Sequence, residues 1–351
     1  MAAILSDIKT PFINEATLKR VMSAQVKENI FQNVFAKPGE AVTEKFSTDT
    51  MAAQIQVIRV KPDGVEARQL GADTNGGWFN SENAGTPTTE AYGINIIDVI
   101  DNCRDIPTNQ QDMMNVDLAS AELTNLAGKV SRNINAITIA AQLAKNFNDI
   151  ADGAATNWVT LQGEDYLGAI IEAGAKLDEG NPAQGIDAYP DDQRALFIRP
   201  SAKAALLKSG QLIVGGSNYA QDILRNGGLD VETNPAVATT GYLGTINNIP
   251  VYSAAPIVWA TAEKYLGLSA GALDDVFMLA VSAVGTGRAL AFNEAIKTIP
   301  SPAGQGIRIQ PKYRFGAECW DYKSVVPIVD GGFGNPAATT RLTVMAPGSR
   351  A

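Results

Sequence analysis

Residues 241–256 read GYLGTINNIPVYSAAP. Two strand-like runs, YLGTI and IPVYS, flank the pair Asn247-Asn248, and Pro256 ends the second run. Asparagine tolerates the positive φ that a two-residue hairpin turn demands, so the turn has a mechanism. Residues 312–330, KYRFGAECWDYKSVVPIVD, are the companion stretch. An aromatic run kinked by Gly316 leads into a short apolar strand containing Val325, Val326, Ile328 and Val329. Neither segment carries a catalytic constellation, so the architecture has to be read before the function.

Around the hairpin the chain mixes helices and strands. Residues 276–284, VFMLAVSAV, predict a central strand, and 195–199, ALFIR, a short buried one. Residues 166–177 read as a helix, and Ser201 is expected to cap another through Leu207, with Pro200 fixing its entry. A helical turn is expected over 217–225, closed by Gly227-Gly228. From 304 onward Ile307, Ile309 and Tyr313 alternate in a strand that leads to the final one near 325–329. Residues 331–351 are rich in Gly, Pro, Ala and Thr, a tail that is either free or reaches a neighbour.

Upstream lies the longest regular element. After Pro107, Thr108 or Asn109 is placed to cap a helix that runs to about Asn148. Val116, Ala119, Leu123, Leu126, Val130, Ile134, Ile137 and Ala141 recur at three- and four-residue steps, one apolar stripe on an otherwise polar helix. Asp112 and Asp117 suit its start and Lys145 its end. Such a helix is about 60 Å long at 1.5 Å per residue. The stripe lacks the e/g charge pairing of a coiled coil. A Gly/Ala/Asp/Thr link follows over 151–165.

Residues 51–60 and 90–100 read as strands rich in β-branched residues. The connection between them, rich in Gly and Asn, is too long for an ordinary hairpin loop. Either it projects as a two-stranded ribbon onto another subunit or it folds back onto its own domain. Trp78 and Phe79 near its middle favour a contact anchor, because a Trp-Phe pair at a loop tip is costly to leave in water. Residues 15–35 have the spacing of an amphipathic helix, or two short ones, and Phe31 and Phe35 require it to dock on its own body or on a neighbour.

Composition narrows the function. The chain has 351 residues, 45% hydrophobic and 19% charged, which suits one or two lobes with a real core, and either a surface largely covered by neighbours or a neutral soluble enzyme. Its net charge is −9 and no Lys/Arg cluster stands out, which excludes broad attraction to nucleic acid phosphates. There is no histidine, which removes Ser-His-Asp and Cys-His systems and His metal ligands. Cys103 and Cys319 form no CxxC pair and read as reduced thiols. No apolar run is long enough to span a membrane, and the first 20 residues have no secretory pattern.

The remaining motifs are weak. Gly285-Thr-Gly287-Arg follows a strand but lacks the third glycine and the later acid of a dinucleotide turn, and no P-loop is present. Asp191-Asp192 and Asp274-Asp275 lack the oxygen-ligand spacing of a cation loop and read as solvated turns. Glu164-Asp165 reads as a charge pair at a helix start.

The order of elements resembles tailed-bacteriophage major capsid proteins with the HK97-type fold. An N-terminal arm, a long ribbon, a very long helix, a mixed lobe with GYLGTINNIPVYSAAP and the return through KYRFGAECWDYKSVVPIVD follow one another in that order, with ALFIRPSAKAALL and VFMLAVSAV within the lobe. The resemblance implies an α+β, HK97-like capsid fold: N-terminal arm 1–44, extended β-ribbon (E-loop) 45–104, peripheral domain with the spine helix 105–160 and 304–335, mixed α/β axial domain 161–303, and C-terminal tail 336–351. It implies a structural protein, not an enzyme, with no cofactor, metal or catalytic residue. Hexamers and pentamers of the chain would form an icosahedral shell around double-stranded DNA, without sequence-specific binding or a membrane.

The implied location is the virion capsid, assembled in the host cytoplasm. The implied partners are a portal protein, a separate scaffolding protein or none (the arm begins almost at Met1) and, in some shells, a decoration protein. Phe31, Phe35, Gly76, Gly77, Trp78, Phe79 and Asn80 are the candidate inter-subunit contacts. No lysine lies between Lys61 and Thr89, so the ribbon-lysine isopeptide link of some members is not expected. The same fold would place Cys103 and Cys319 in one domain, leaving a late bond between them open. The alternatives are an encapsulin-like compartment shell and a histidine-free α/β enzyme that uses lysine or carboxylates.

Overall fold

The computed structural model describes residues 54–60, 89–100, 104–106, 118–208, 242–247, 249–291, 296–300, 307–338 and 340–345. The expected helices over 15–35 and 217–225, the candidate contacts Phe31, Phe35, Gly76, Gly77, Trp78, Phe79 and Asn80, and Cys103 lie outside the described residues.

The hairpin forms as its sequence dictates. β7 (Tyr242–Ile246) and β8 (Ile249–Ser253) pair antiparallel, and Asn247 sits at φ 50, the left-handed region its side chain tolerates. The hairpin is one end of a six-stranded sheet ordered β5-β13-β9-β6-β8-β7. Its other strands are β5 (Val159–Thr160), β6 (Arg194–Ile198), β9 (Val276–Ser282) and β13 (Val325–Val329). Strands β6 and β13 are buried along their whole length, which is why they read as continuous apolar runs without alternation.

Helices cover both faces of this sheet. On one side α2 (Tyr166–Asp178) and α3 (Pro200–Lys208) bring Ile170, Leu177, Ala202 and Leu206 against Leu196, Ile198, Met278, Ala280 and Val326. On the other, α1 (Leu118–Ala151) and α4 (Pro256–Leu266) bring Ile137, Phe147, Trp259 and Tyr265 against Phe197, Leu279, Val281 and Val325. Asp165 caps α2 by accepting from the Gly168 N–H at 3.0 Å, so the acid pair before this helix has a structural use. Helix α3 starts one residue before the expected cap. Pro200 occupies its first turn, the Arg199 carbonyl accepts from the Lys203 N–H at 3.0 Å, and Ser201 lies exposed within the helix.

A second sheet has the 13-residue β12 (Ile307–Cys319) as its trunk. β12 pairs antiparallel with β10 (Thr286–Ala291) and β3 (Ile97–Ile100) over its second half. Over its first half it pairs with β11 (Ile296–Pro300) and β4 (Arg104–Ile106). A separate two-stranded ribbon is formed by β1 (Gln54–Val60) and β2 (Thr89–Asn95). The run expected as one strand over 90–100 is thus two, broken at Ile96. β13 belongs to the six-stranded sheet, whereas β10 and β11 pair with β12.

Two expectations change and one element is new. Helix α1 is not a striped surface helix in its second half. From Ile134 to Ala144 every residue is buried, because the helix runs between the two sheets and its core also takes in Phe315, Ala317 and Cys319 of β12. Its 34 residues span about 51 Å, and Lys145 pairs with Asp149 at 3.0 Å one turn on. Helix α4 was not anticipated. Finally, the described part of the C-terminal segment is docked: Ala337 and Leu342 join the core, and the Met345 N–H donates to the Tyr265 carbonyl at 3.0 Å.

Candidate assembly site

Residues 61–88, expected from sequence either to project onto a neighbour or to fold back, join β1 to β2 and lie outside the described residues. β1 and β2 pair in unbroken register from Gln54↔Asn95 to Val60↔Thr89. Seven paired residues make a stem about 23 Å long at 3.3 Å per residue.

The body's stiffness centres on the turn between β12 and β13. Asp321 is 1% exposed. Its carboxylate accepts from Tyr189 Oη at 2.5 Å, Asn181 Nδ2 at 2.9 Å and the Lys323 N–H at 3.1 Å. Its carbonyl accepts from Ser324 Oγ at 2.6 Å and from Cys319 Sγ at 3.4 Å. Asparagines clamp the same turn from the helix side. Asn146 Nδ2 donates to the carbonyls of Val325 at 2.8 Å, Asn157 at 3.1 Å and Tyr322 at 3.3 Å. Asn157 Nδ2 reaches the Val325 carbonyl at 2.9 Å and the Tyr322 carbonyl at 3.0 Å. The donors and acceptors engaged in this way fix one geometry, and one that is left unpaired is costly; Asn146 Oδ1, buried without a hydrogen-bond partner, is the exception within the joint. The joint ties the two sheets and α1 into one piece.

Other asparagines staple the chain's end to α1. Asn148 exchanges two hydrogen bonds with the backbone of Leu342, both 2.8 Å, imitating a strand pair. Asn335 Nδ2 donates to the Phe147 carbonyl at 3.0 Å. Phe333 lies between the rings of Phe147 and Trp158, at centroid distances of 5.3 and 5.5 Å.

The residues suspected of chemistry have structural partners. Asp191 pairs with Arg194 at 3.1 Å, and Arg194 also holds Asp178 at 2.6 Å and the Tyr189 carbonyl. Asp274 pairs with Arg199 at 3.1 Å, whose guanidinium lies 4.7 Å over the Trp259 ring. Gly285 closes a short turn, and residues from Thr286 form an antiparallel strand, so the turn does not open the helix that a dinucleotide-binding turn opens. Among the described residues no group of three His, Cys, Asp or Glu side chains is placed to hold a metal, and no helix is long and apolar enough to cross a membrane. Burial pushes the Cys319 thiol up to about 12, so it stays protonated and unreactive.

One carboxyl has an unusual titration. Burial pushes Glu318 from 4.5 up to about 7, with Lys145 acting in the opposite direction. A folded-state value above the unfolded one gives stability that is complete below about 4.5 and is lost as pH rises through about 7. Glu318→Gln is therefore expected to raise stability by about 2 kcal/mol near pH 8 and to flatten its slope between those values. Urea unfolding of both proteins at about pH 5 and about pH 8 checks this. An identical pH slope would refute the assignment.

No family model and no curated protein matches the sequence. Solved structures do match. A chain of the Ralstonia phage GP4 capsid aligns over 86% of this chain and 90% of its own, with 12% identity and a TM-score of 0.54. A chain of the cyanophage P-SCSP1u capsid aligns over 81% and 85%, with 14% identity and a TM-score of 0.49. A chain of the virus-like particle from Pyrococcus furiosus aligns over 89% and 98%, with 12% identity and a TM-score of 0.43. Nearly the whole chain superimposes on the Ralstonia phage capsid chain, and together with the two sheets and the long helix between them this establishes an α+β, HK97-like capsid fold.

Proposed function

We propose that this chain is the major capsid protein of a tailed phage, self-assembling through hexamers and pentamers into an icosahedral shell that encloses double-stranded DNA. The observation that carries the reading is the likeness to the Ralstonia phage GP4 capsid across 86% of the chain. The stem of the ribbon, the clamped joint and the net charge of −9 are in keeping with it. In this reading the arm 1–44 and the segment 61–88 lie on neighbouring subunits, and the clamped body holds their origins fixed. Heterologous contacts of this kind close into rings and shells. Several per subunit together bury more than the roughly 1,600 Å² of a standard interface. An acidic chain without a basic cluster packs DNA as a container and does not grip it. A portal protein, a separate scaffold and a decoration protein are the partners to seek.

Trp78→Ala is expected to lower the yield of particles several-fold while leaving the melting temperature of the free subunit unchanged, because an anchor at a contact contributes mainly to association. Wild-type particle yield would remove Trp78 from the interface. The function itself is tested by purifying particles from the cell in which they assemble, treating them with nuclease and analysing their contents. Protected double-stranded DNA is expected. Particles holding a protein cargo and no DNA would replace the capsid with a compartment shell.

A further inference from the structure

The break at Ile96 has a physical cause. β3 continues in the plane of the second sheet, with Ile97 opposite Phe315, whereas β2 leaves that plane and crosses over β12. The crossing is permitted by Gly316: a Cβ there would collide with the Asn95 carbonyl oxygen and stand 3.0 Å from Ile94 Cγ2. On β10, a Cβ on Gly287 would meet Trp320 Cζ3 at 2.7 Å and Ile94 Cδ1 at 3.1 Å. The two glycines leave a notch, and Ile94, fully buried, fills it. Trp320 forms its wall: the Tyr92 ring packs on it at 5.5 Å, and its indole Nε1 donates to the Val284 carbonyl at 3.1 Å. The next residue is Asp321 of the clamped turn.

We infer that Gly287 and Gly316, with Trp320, form a seat for the root of the β1–β2 ribbon, so that the ribbon leaves the body at one set angle and is a separately releasable unit. The contacts of the seat with the ribbon lie at its last residues, Tyr92, Ile94 and Asn95. Lifting Ile94 out therefore frees the ribbon without opening either core, while Trp320 connects the seat to the joint between the sheets. On the capsid reading, this seat aims the outward segment at its neighbour.

The test is hydrogen exchange on the full chain carrying Gly316→Ala, with Gly287→Ala and Ile94→Ala as independent variants. Amides of 89–95 are expected to exchange about tenfold faster or more, while those of 276–282 and 325–329 keep their wild-type rates. Unchanged exchange over 89–95 in folded variants would overturn the seat. Parallel acceleration of 276–282 would also overturn it, since the glycines would then be ordinary core packing. If Gly316→Ala does not fold, Ile94→Ala decides alone, because it empties the notch from the ribbon side without a clash. The readout does not involve assembly, so it stands or fails separately from the capsid reading.

Discussion

Asp321→Ala is expected to destabilise the subunit by about 3–5 kcal/mol, the largest effect expected of a polar substitution among the described residues. The change strands the Tyr189 hydroxyl, the Asn181 amide and the Lys323 N–H in a site from which water is excluded. The magnitude follows from three donors losing one acceptor group together, each buried donor costing about 1–3 kcal/mol when left unmade. Asp321→Asn separates acceptor from charge. Its carbonyl oxygen still serves Asn181 and Lys323, and the Tyr189 hydroxyl can turn to accept from the new amide, so about half of the loss should be recovered. Urea unfolding of both variants measures this. Equal losses would mean that the negative charge and not the bonding pattern holds the joint. A loss below about 1 kcal/mol for the alanine variant would mean that the turn is held by the asparagine clamps alone.

Phe147→Ala is the second. The ring is fully buried between α1 and the chain's end, and truncating a buried phenylalanine costs about 3–5 kcal/mol. Its distinctive consequence is local. Phe333 loses one of its two aromatic neighbours, and the Asn335 and Asn148 staples are left to hold 331–345 without that packing. Limited proteolysis is expected to cut within 331–345 in the variant under conditions that leave the wild-type chain intact. A fully destabilised but uncut C-terminal segment would show that the asparagines suffice.

How much of this was legible from sequence depended on whether the information was local. The 241–256 hairpin was readable because Asn247 and Pro256 state their backbone preferences in place. The buried strands were readable as apolar runs, and α2 as a helix over 166–177, although Asp165 reads from sequence as half of a charge pair and its cap shows only in the structure. Helix α4 also carried local signals, Pro256 at its first turn and Gly267 at φ 64 just past its end, with Val258, Trp259, Ala262, Tyr265 and Leu266 on its buried side. Pro256 had been read only as a strand stop. The second half of α1 misled for a non-local reason. Asn135, Thr138, Gln142 and Asn146 look like a solvent face, yet each is buried between sheets that sequence spacing does not place there.

The joint is less legible still. Asp321, Tyr189, Asn181 and Asn146 lie up to 175 residues apart (321 − 146) and meet only through the fold. An Asp in a turn and an Asn in a helix are too common to single out without it. Likewise the split of 90–100 into two strands depends on Gly287 and Gly316, whose meaning appears only when β2 is seen crossing over them.

The central claim is that this chain builds a closed shell. Expressing it alone and examining it by size exclusion and negative-stain microscopy tests that most directly. Closed shells, or rings of five or six subunits, are the expected result. A chain that stays monomeric, both alone and after addition of lysate from the cells in which it naturally assembles, would contradict the account.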